Sequence, residues 1–208
     1  MKTKLLASLL GLALALTISG CATGPSPKVG WVATSWKDQF TDIDHALVTM
    51  GSYYTSDGNV YTVTGGAYPF IGRNGNQLLV GLRSGGKIRF PVGEVQLRID
   101  DNPAWTITPM ETPLENPPGT TPASSGPSDQ IAAAIEKTRQ LSSVALLPYT
   151  AATGERARKI LGQMLHGHII KYRITSFGQA SSTTGECLID DSFREGLIKA
   201  AIPFADLL

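Results

Sequence analysis

A segment rich in proline, glycine and serine divides this chain of 208 residues into two unlike parts. Residues 111–128, ETPLENPPGTTPASSGPS, hold five of the 13 prolines and show no hydrophobic periodicity. This composition indicates a linker or a long exposed loop, and loops of this length are uncommon inside compact domains. The segment interrupts regular structure, so the two parts are interpreted separately.

The part before this segment has the pattern of β-structure. Residues 29–36 are strand-like, and Asp57-Gly58 separates two aromatic and β-branched runs, as in a hairpin. Asn74-Gly75 and Gly85-Gly86 mark further turns. Residues 87–99 alternate with period two except at 91–93 (Pro-Val-Gly), where we expect a bulge or corner.

The part after the segment mixes helical and strand patterns. Apolar residues recur at helical spacing in 128–141 and 153–167, and a last helix is predicted over 191–202. Strands are predicted at 168–175 and 186–190, and another is allowed at 143–149. The sequence therefore predicts the α+β class, with a twisted antiparallel sheet or sandwich in the N-terminal half and three helices in the C-terminal half. We expect a single domain over residues 29–208.

The N-terminus has the pattern of an export signal. Two lysines precede 14 uncharged residues, Leu5 to Ile18, seven of them leucine. A membrane-spanning helix needs about 20 apolar residues, so this shorter run predicts a cleaved signal over residues 1–20. The run ends in Ile18-Ser19-Gly20-Cys21, which resembles the lipobox of bacterial lipoproteins. The alternative is an ordinary secretory signal that happens to end near a cysteine.

The lipobox resemblance implies an anchor and a location. It implies a diacylglycerol on the Cys21 sulfur, cleavage before Cys21 and acylation of the new N-terminus; two or three acyl chains hold a protein durably on a membrane. Residues 21–28 then form a flexible tether. Ala22 stands where Asp would favour the inner membrane, so the resemblance implies an outer-membrane lipoprotein that faces the periplasm of a two-membrane bacterium.

The charge balance argues against nucleic acid as a partner. Removal of residues 1–20 leaves 188 residues with 16 basic and 17 acidic side chains, whereas nucleic-acid binding needs clustered positive charge. No second apolar run is long enough to span a membrane. The expected partners are the membrane, through lipid on Cys21, and an envelope protein.

Few side chains suggest catalysis or metal binding. Cys187 lies in a strand-like run and is expected to be a buried small side chain; a catalytic thiol is the alternative, although such cysteines usually open a helix. His166 and His168 lack an evident third metal ligand. No phosphate-binding loop or nucleophile motif occurs, and we predict neither a cofactor nor a metal.

Two runs end in Ile-Asp-Asp, at Asp100-Asp101 and at Asp190-Asp191. Paired carboxylates can perform acid–base chemistry or hold a divalent ion. Turn composition after the first pair and a helix start at the second favour structural roles.

Aromatic residues are concentrated in the first part of the chain. We expect core and cross-strand packing for most of them, and a partner-binding surface for any exposed subset. These residues are Trp31, Trp36, Phe40, Tyr53, Tyr54, Tyr61, Tyr68 and Phe70.

A weaker resemblance concerns residues 90–100, FPVGEVQLRID, together with 190–200, DDSFREGLIKA. These resemble segments of the invasion-associated B family of exported envelope proteins, which implies a β-sandwich. The chain lacks that family's cysteine pairs and has more helical sequence.

Together these patterns favour a lipid-anchored envelope protein that binds a protein partner, for example in envelope assembly, secretion or receptor blocking, and does not catalyse a reaction. The alternatives are an envelope hydrolase that acts on peptidoglycan or a saccharide through Cys187 or Asp100/Asp101, and a carrier of a small apolar ligand.

Overall fold

The computed structural model describes residues 28–53, 60–114, 137–138, 141–175 and 184–208. Cys21, the signal over 1–20, most of the tether and most of the 111–128 segment lie outside these residues, as do Tyr54 and the Asp57-Gly58 turn. Among the described residues, no helix has both the length and the apolar character needed to cross a membrane.

Two antiparallel sheets form the framework. Their strands are β1 (Lys28–Lys37), β2 (Asp44–Tyr53), β3 (Val60–Tyr61), β4 (Ala67–Asn74), β5 (Gln77–Ser84), β6 (Val95–Ile99), β7 (Trp105–Ile107), β8 (Tyr149–Thr153), β9 (Ile169–Ile174) and β10 (Thr184–Leu188). The first sheet has the order β1-β2-β4-β5-β8, with β3 paired to β2, and the second has the order β10-β9-β6-β7.

The helices lie in the C-terminal half, as predicted. Helix α1 is described at residues 137–138 and 141–145. Helix α2 spans Gly154–His166 and α3 spans Asp191–Lys199, while short 3-10 turns occupy Pro109–Glu111 and Ala205–Leu207. The mixed α and β character of the chain is therefore confirmed.

One cluster of buried apolar residues joins the two sheets and the helices α2 and α3. The ring of Phe193 in α3 is fully buried and meets Trp31 of β1 edge-on at 4.8 Å. Trp31 also donates its indole N–H to the carbonyl oxygen of Leu188 in β10, at 2.8 Å, which links the sheets. Gly196 brings α3 close to β2, because a Cβ there would meet Val48 at 2.9 Å.

The α2 face follows the sequence pattern. Its buried residues are Ala157, Ile160, Leu161, Met164 and Leu165. Their spacing matches one side of a helix, as the periodicity of 153–167 predicted.

Two local predictions were wrong. Residues 85–94 form an irregular loop after β5, not an extension of a strand through Lys87 and Arg89. Backbone hydrogen bonds from Gly85 to Gly66 and from Val92 to Leu147, at 2.9 and 3.0 Å, hold this loop in place. The strand that the sequence allowed at 143–149 begins only at Tyr149, because residues 143–145 still belong to α1.

Candidate binding pocket

Cys187 lies in β10 and is buried, as its apolar run predicted. Burial, with smaller contributions from the charges of Glu186 and Asp190, raises the pKa of its thiol to about 12. A thiol in this environment remains protonated and is a poor nucleophile. Cys187 also lies within a strand, whereas catalytic cysteines usually lie at the start of a helix.

The Asp100 carboxylate joins two chain segments. It accepts hydrogen bonds from the backbone amides of Ile169, at 2.8 Å, and His168, at 3.1 Å, and these bonds hold the pKa of Asp100 below its usual range. Asp100 adopts a positive φ of 47°, which Asp tolerates better than most residues. Asp101 is exposed and lies 3.6 Å from the guanidinium of Arg98. The pair therefore closes the turn after β6.

The second Ile-Asp-Asp run starts α3. Asp190 is the N-cap residue, and its carboxylate accepts a hydrogen bond from the Ser192 amide at 3.1 Å. Asp191 follows in the first turn, where a carboxylate is stabilised by the helix dipole. This structural role is the one that the sequence favoured.

The histidines do not come together as metal ligands. His166 ends α2 and contacts the carbonyl oxygen of Gly162 at 2.8 Å, while His168 lies 3.6 Å from Asp100. Across the described ranges, no three side chains of His, Cys, Asp or Glu are grouped to hold a metal ion.

The outer face of the first sheet carries a pocket of 270 Å³. Strand register explains its lining: the pairs Trp36↔His45, Leu47↔Gly72 and Arg83↔Tyr149 place these side chains on one face, opposite the core. Residues of β1, β2, β4, β5 and β8 thus converge there, and residues of two loops complete the wall. The lining includes Trp36, His45, Leu47, Phe70, Gly72, Leu79, Arg83, Arg89, Leu147, Pro148 and Tyr149.

Aromatic rings form much of this wall. The rings of Trp36 and His45 are stacked, with centroids 5.2 Å apart and planes 5° apart. Phe70 meets Tyr149 edge-on at 5.8 Å, and Leu79 and Ala151 pack with Phe70 beneath the opening. Trp36 keeps 50% of its surface exposed, although His45 is buried. Of the predicted aromatic set, Trp36, Phe40 in the turn between β1 and β2, and Tyr61 in β3 are exposed, and of these three only Trp36 lines the pocket.

Three arginines line the pocket and give it positive charge: Arg73, Arg83 and Arg89. Arg83 is half-buried in β5, and burial, followed by the charge of Arg89, lowers its pKa to about 10. Among the described residues, no acidic side chain contributes to that shift. Within the described part of the chain, none of these three guanidinium groups has an ion-pair partner, and the residues that line the pocket include no Asp or Glu.

The loop that carries Arg89 is fixed at both ends. The backbone amide of Phe90 donates to Ser84 Oγ at 3.0 Å, and the Gly86 amide donates to Thr62 Oγ1 at 2.8 Å. Farther along, Thr150 Oγ1 donates to the carbonyl oxygen of Val92 at 2.6 Å. These bonds hold Arg89 beside Arg83 without an acidic group.

Sequence analysis missed this pocket, although the sequence contains a signal for it. From Gly58 to Gly93 there is no acidic residue, whereas Arg73, Arg83, Lys87 and Arg89 all fall in that interval. Such an imbalance in a nearly neutral protein indicates a local positive region. It does not indicate which of these cations meet, because that depends on strand pairing.

Comparison with known proteins gives no relative from which a role can be transferred: no family model, curated protein or solved structure matches the chain. The pocket is therefore interpreted from its own chemistry.

Proposed function

We propose that this chain is an outer-membrane lipoprotein with an α+β body that faces the periplasm and acts by binding a protein partner. The lipobox resemblance at Ile18-Ser19-Gly20-Cys21 supports the anchor. Strand β1 begins at Lys28, seven residues after Cys21, so the tether can extend at most about 25 Å. The body would stay near one leaflet, where its effective concentration for membrane-bound partners is high.

The observation that carries the binding role is the composition of the pocket on the first sheet. Trp, Tyr and Arg dominate binding hot spots in protein interfaces, and Trp36, Tyr149, Arg83 and Arg89 meet in this one concave region. The strands fix most of this surface before any partner arrives, which reduces the entropy cost of association.

The hydrolase alternative receives less support. It needs Cys187 or Asp100 to reach a substrate. The Cys187 thiol is buried with a raised pKa, and the Asp100 carboxylate accepts hydrogen bonds from two backbone amides. A carrier of a purely apolar ligand is also less favoured, since three arginines line the pocket.

Site-specific crosslinking in cells tests the proposed function. A photoreactive phenylalanine analogue replaces Trp36 in the anchored protein, and a matched variant carries it at Tyr61, which has a similar exposed fraction of 49%. We expect one envelope protein to crosslink at position 36 but not at 61, and the adduct to weaken with Arg89→Gln. Equal adducts from both positions, or none from position 36, would contradict partner binding through this surface.

The anchor has its own test. Cys21→Ser should abolish metabolic labelling with a fatty acid and remove the protein from the membrane fraction. An unlabelled wild-type protein, or a variant that stays in the membrane fraction, would contradict the lipoprotein proposal.

A further inference from the structure

Arg83 and Arg89 form a pair of like charges at a partly desolvated site. Burial of a cation is unfavourable unless an anion or several acceptors accompany it. The charge of Arg89 adds to this cost, because it opposes the charge on Arg83. Within the residues that the structure describes, no carboxylate compensates either guanidinium. In the described part of the chain, this positive region is therefore not neutralised.

The surroundings of the pair are apolar. Phe70, Leu79 and Leu47 form the side of the pocket that faces the sheet, and Leu147 and Pro148 contribute to its wall. The volume of 270 Å³ is below the range of about 300–1,000 Å³ that is usual for drug-sized ligands. An occupant of this size is one or two rings, or a single large side chain of a partner.

Guanidinium groups match planar and tetrahedral oxyanions, because their N–H donors can form two parallel hydrogen bonds to one anion. A field of one sign in a concave site also attracts anions from a distance. Positive charge beside an apolar wall therefore selects ligands that carry an anion and an apolar body together.

We propose that the pocket on the outer face of the first sheet binds a carboxylate or phosphate attached to an aromatic or aliphatic body. The anion lies between Arg83 and Arg89, and the body lies over Phe70 and Leu79. This inference rests on the proposed role of the pocket in binding. The anionic group has two sources, a side chain or chain end of a protein partner and a free small molecule.

Binding of three probes with the same aromatic body tests the inference. The full lipid-anchored protein, in a non-ionic detergent and a chloride buffer, is titrated by calorimetry with 2-naphthoate, 2-naphthyl phosphate and neutral 2-naphthamide. Titrations into protein-free detergent are subtracted. We expect at least one anion to bind about tenfold or more tightly than the amide, as an ionic hydrogen bond at a partly desolvated site provides.

Three variants assign the effect to the pocket. Arg83→Met and Arg89→Gln should each weaken binding of the anion about tenfold or more and leave binding of the amide nearly unchanged. Arg98→Gln is the matched control, because Arg98 lies in β6 of the other sheet. Since Arg89 lies on an exposed loop, Arg89→Gln keeps the test valid even if Arg83→Met fails to fold.

The outcomes separate this inference from the proposed function. Equal binding of anion and amide, no binding of any probe, or equal losses from Arg89→Gln and Arg98→Gln would overturn the inference, even if the crosslink from position 36 persists. Anion binding without any crosslinked protein would support the inference and contradict partner binding. If the bound anion suppresses the crosslink, the partner supplies the natural anion; if the crosslink is unaffected, the natural ligand is a free molecule.

Discussion

Replacement of Arg83 by methionine should stabilise the protein in the absence of ligand. Methionine keeps a long unbranched side chain against the sheet but removes the charge. The native environment disfavours that charge, because burial and Arg89 lower the pKa of Arg83 to about 10. Loss of a half-buried cation without a described counter-ion should therefore raise the free energy of unfolding.

The size of the effect follows from the pKa. One pKa unit corresponds to about 1.4 kcal/mol, so lowering the pKa of Arg83 from its usual value of about 12.5 to about 10 sets an upper limit of about 3 to 4 kcal/mol. Arg83 is partly exposed, and screening by solvent reduces this to about 1 to 2 kcal/mol. For a protein of this length, 1 kcal/mol changes Tm by about 2–4 °C. We therefore expect Tm to rise by about 2 to 8 °C at pH 7.

Circular dichroism recorded during thermal unfolding measures this change in Tm, with Arg98→Gln as the control. The sign of the pH dependence adds a second check. A base whose pKa is depressed by folding destabilises the protein below that pKa, and the penalty is released as the pH rises through about 10. The difference in Tm between Arg83→Met and the wild type should therefore become smaller above that pH.

A fall in Tm of 2 °C or more for Arg83→Met, with Arg98→Gln unchanged, would refute this reasoning. It would mean that an acidic group of the chain itself neutralises Arg83. The pocket would then be a structural ion-pair site.

Three further predictions concern other parts of the protein. If Cys21 carries lipid as proposed, the native protein should show no thiol reactive towards Ellman's reagent at pH 8 and one after unfolding, because Cys187 is buried. A reactive thiol before unfolding would contradict either the lipid on Cys21 or the burial of Cys187. Asp100→Asn should lower the Tm at neutral pH, and the difference in Tm from wild type should vanish in acid. Folding lowers the pKa of Asp100, so the stability that its carboxylate contributes is lost as the pH falls through that pKa. A difference in Tm that persists in acid would point to another cause. Phe193→Ala should lower the free energy of unfolding, measured in urea, by about 3 to 5 kcal/mol, since the Phe193 ring is fully buried. Leu188→Ala, which changes an exposed side chain, should lower it much less. Similar losses from the two variants would mean that α3 does not anchor the core.

Local chemistry allowed much of the fold to be predicted. The turn at Asn74-Gly75 joins β4 to β5, with Gly75 at a positive φ of 55°, because such turns need residues that tolerate this conformation. The spacing of apolar residues in 153–167 predicted helix α2, and Asp190 predicted where helix α3 begins. In each case the decisive residues lie within a few positions of one another.

The pocket could not be predicted in the same way. Trp36 and Tyr149 are far apart in sequence, and they share a face only because five strands pair in a particular order and register. A shift of one residue in any pair would turn its side chains to the opposite face. The loop at 85–94 departs from its sequence pattern for a related reason: hydrogen bonds to Gly66 and Leu147, which are distant in sequence, override the alternation at Lys87 and Arg89.

Strand β5 has a consequence for how proteins with this body diverge. Val80 and Leu82 point into the shared core, whereas Leu79 and Arg83 line the pocket, so residues that are adjacent in the sequence lie in different environments. Substitutions at positions 79 and 83 change the pocket face of β5, whereas those at 80 and 82 change its core face. Evolution can therefore change the side chains at positions 79 and 83, and with them the chemistry of the pocket, without repacking the core.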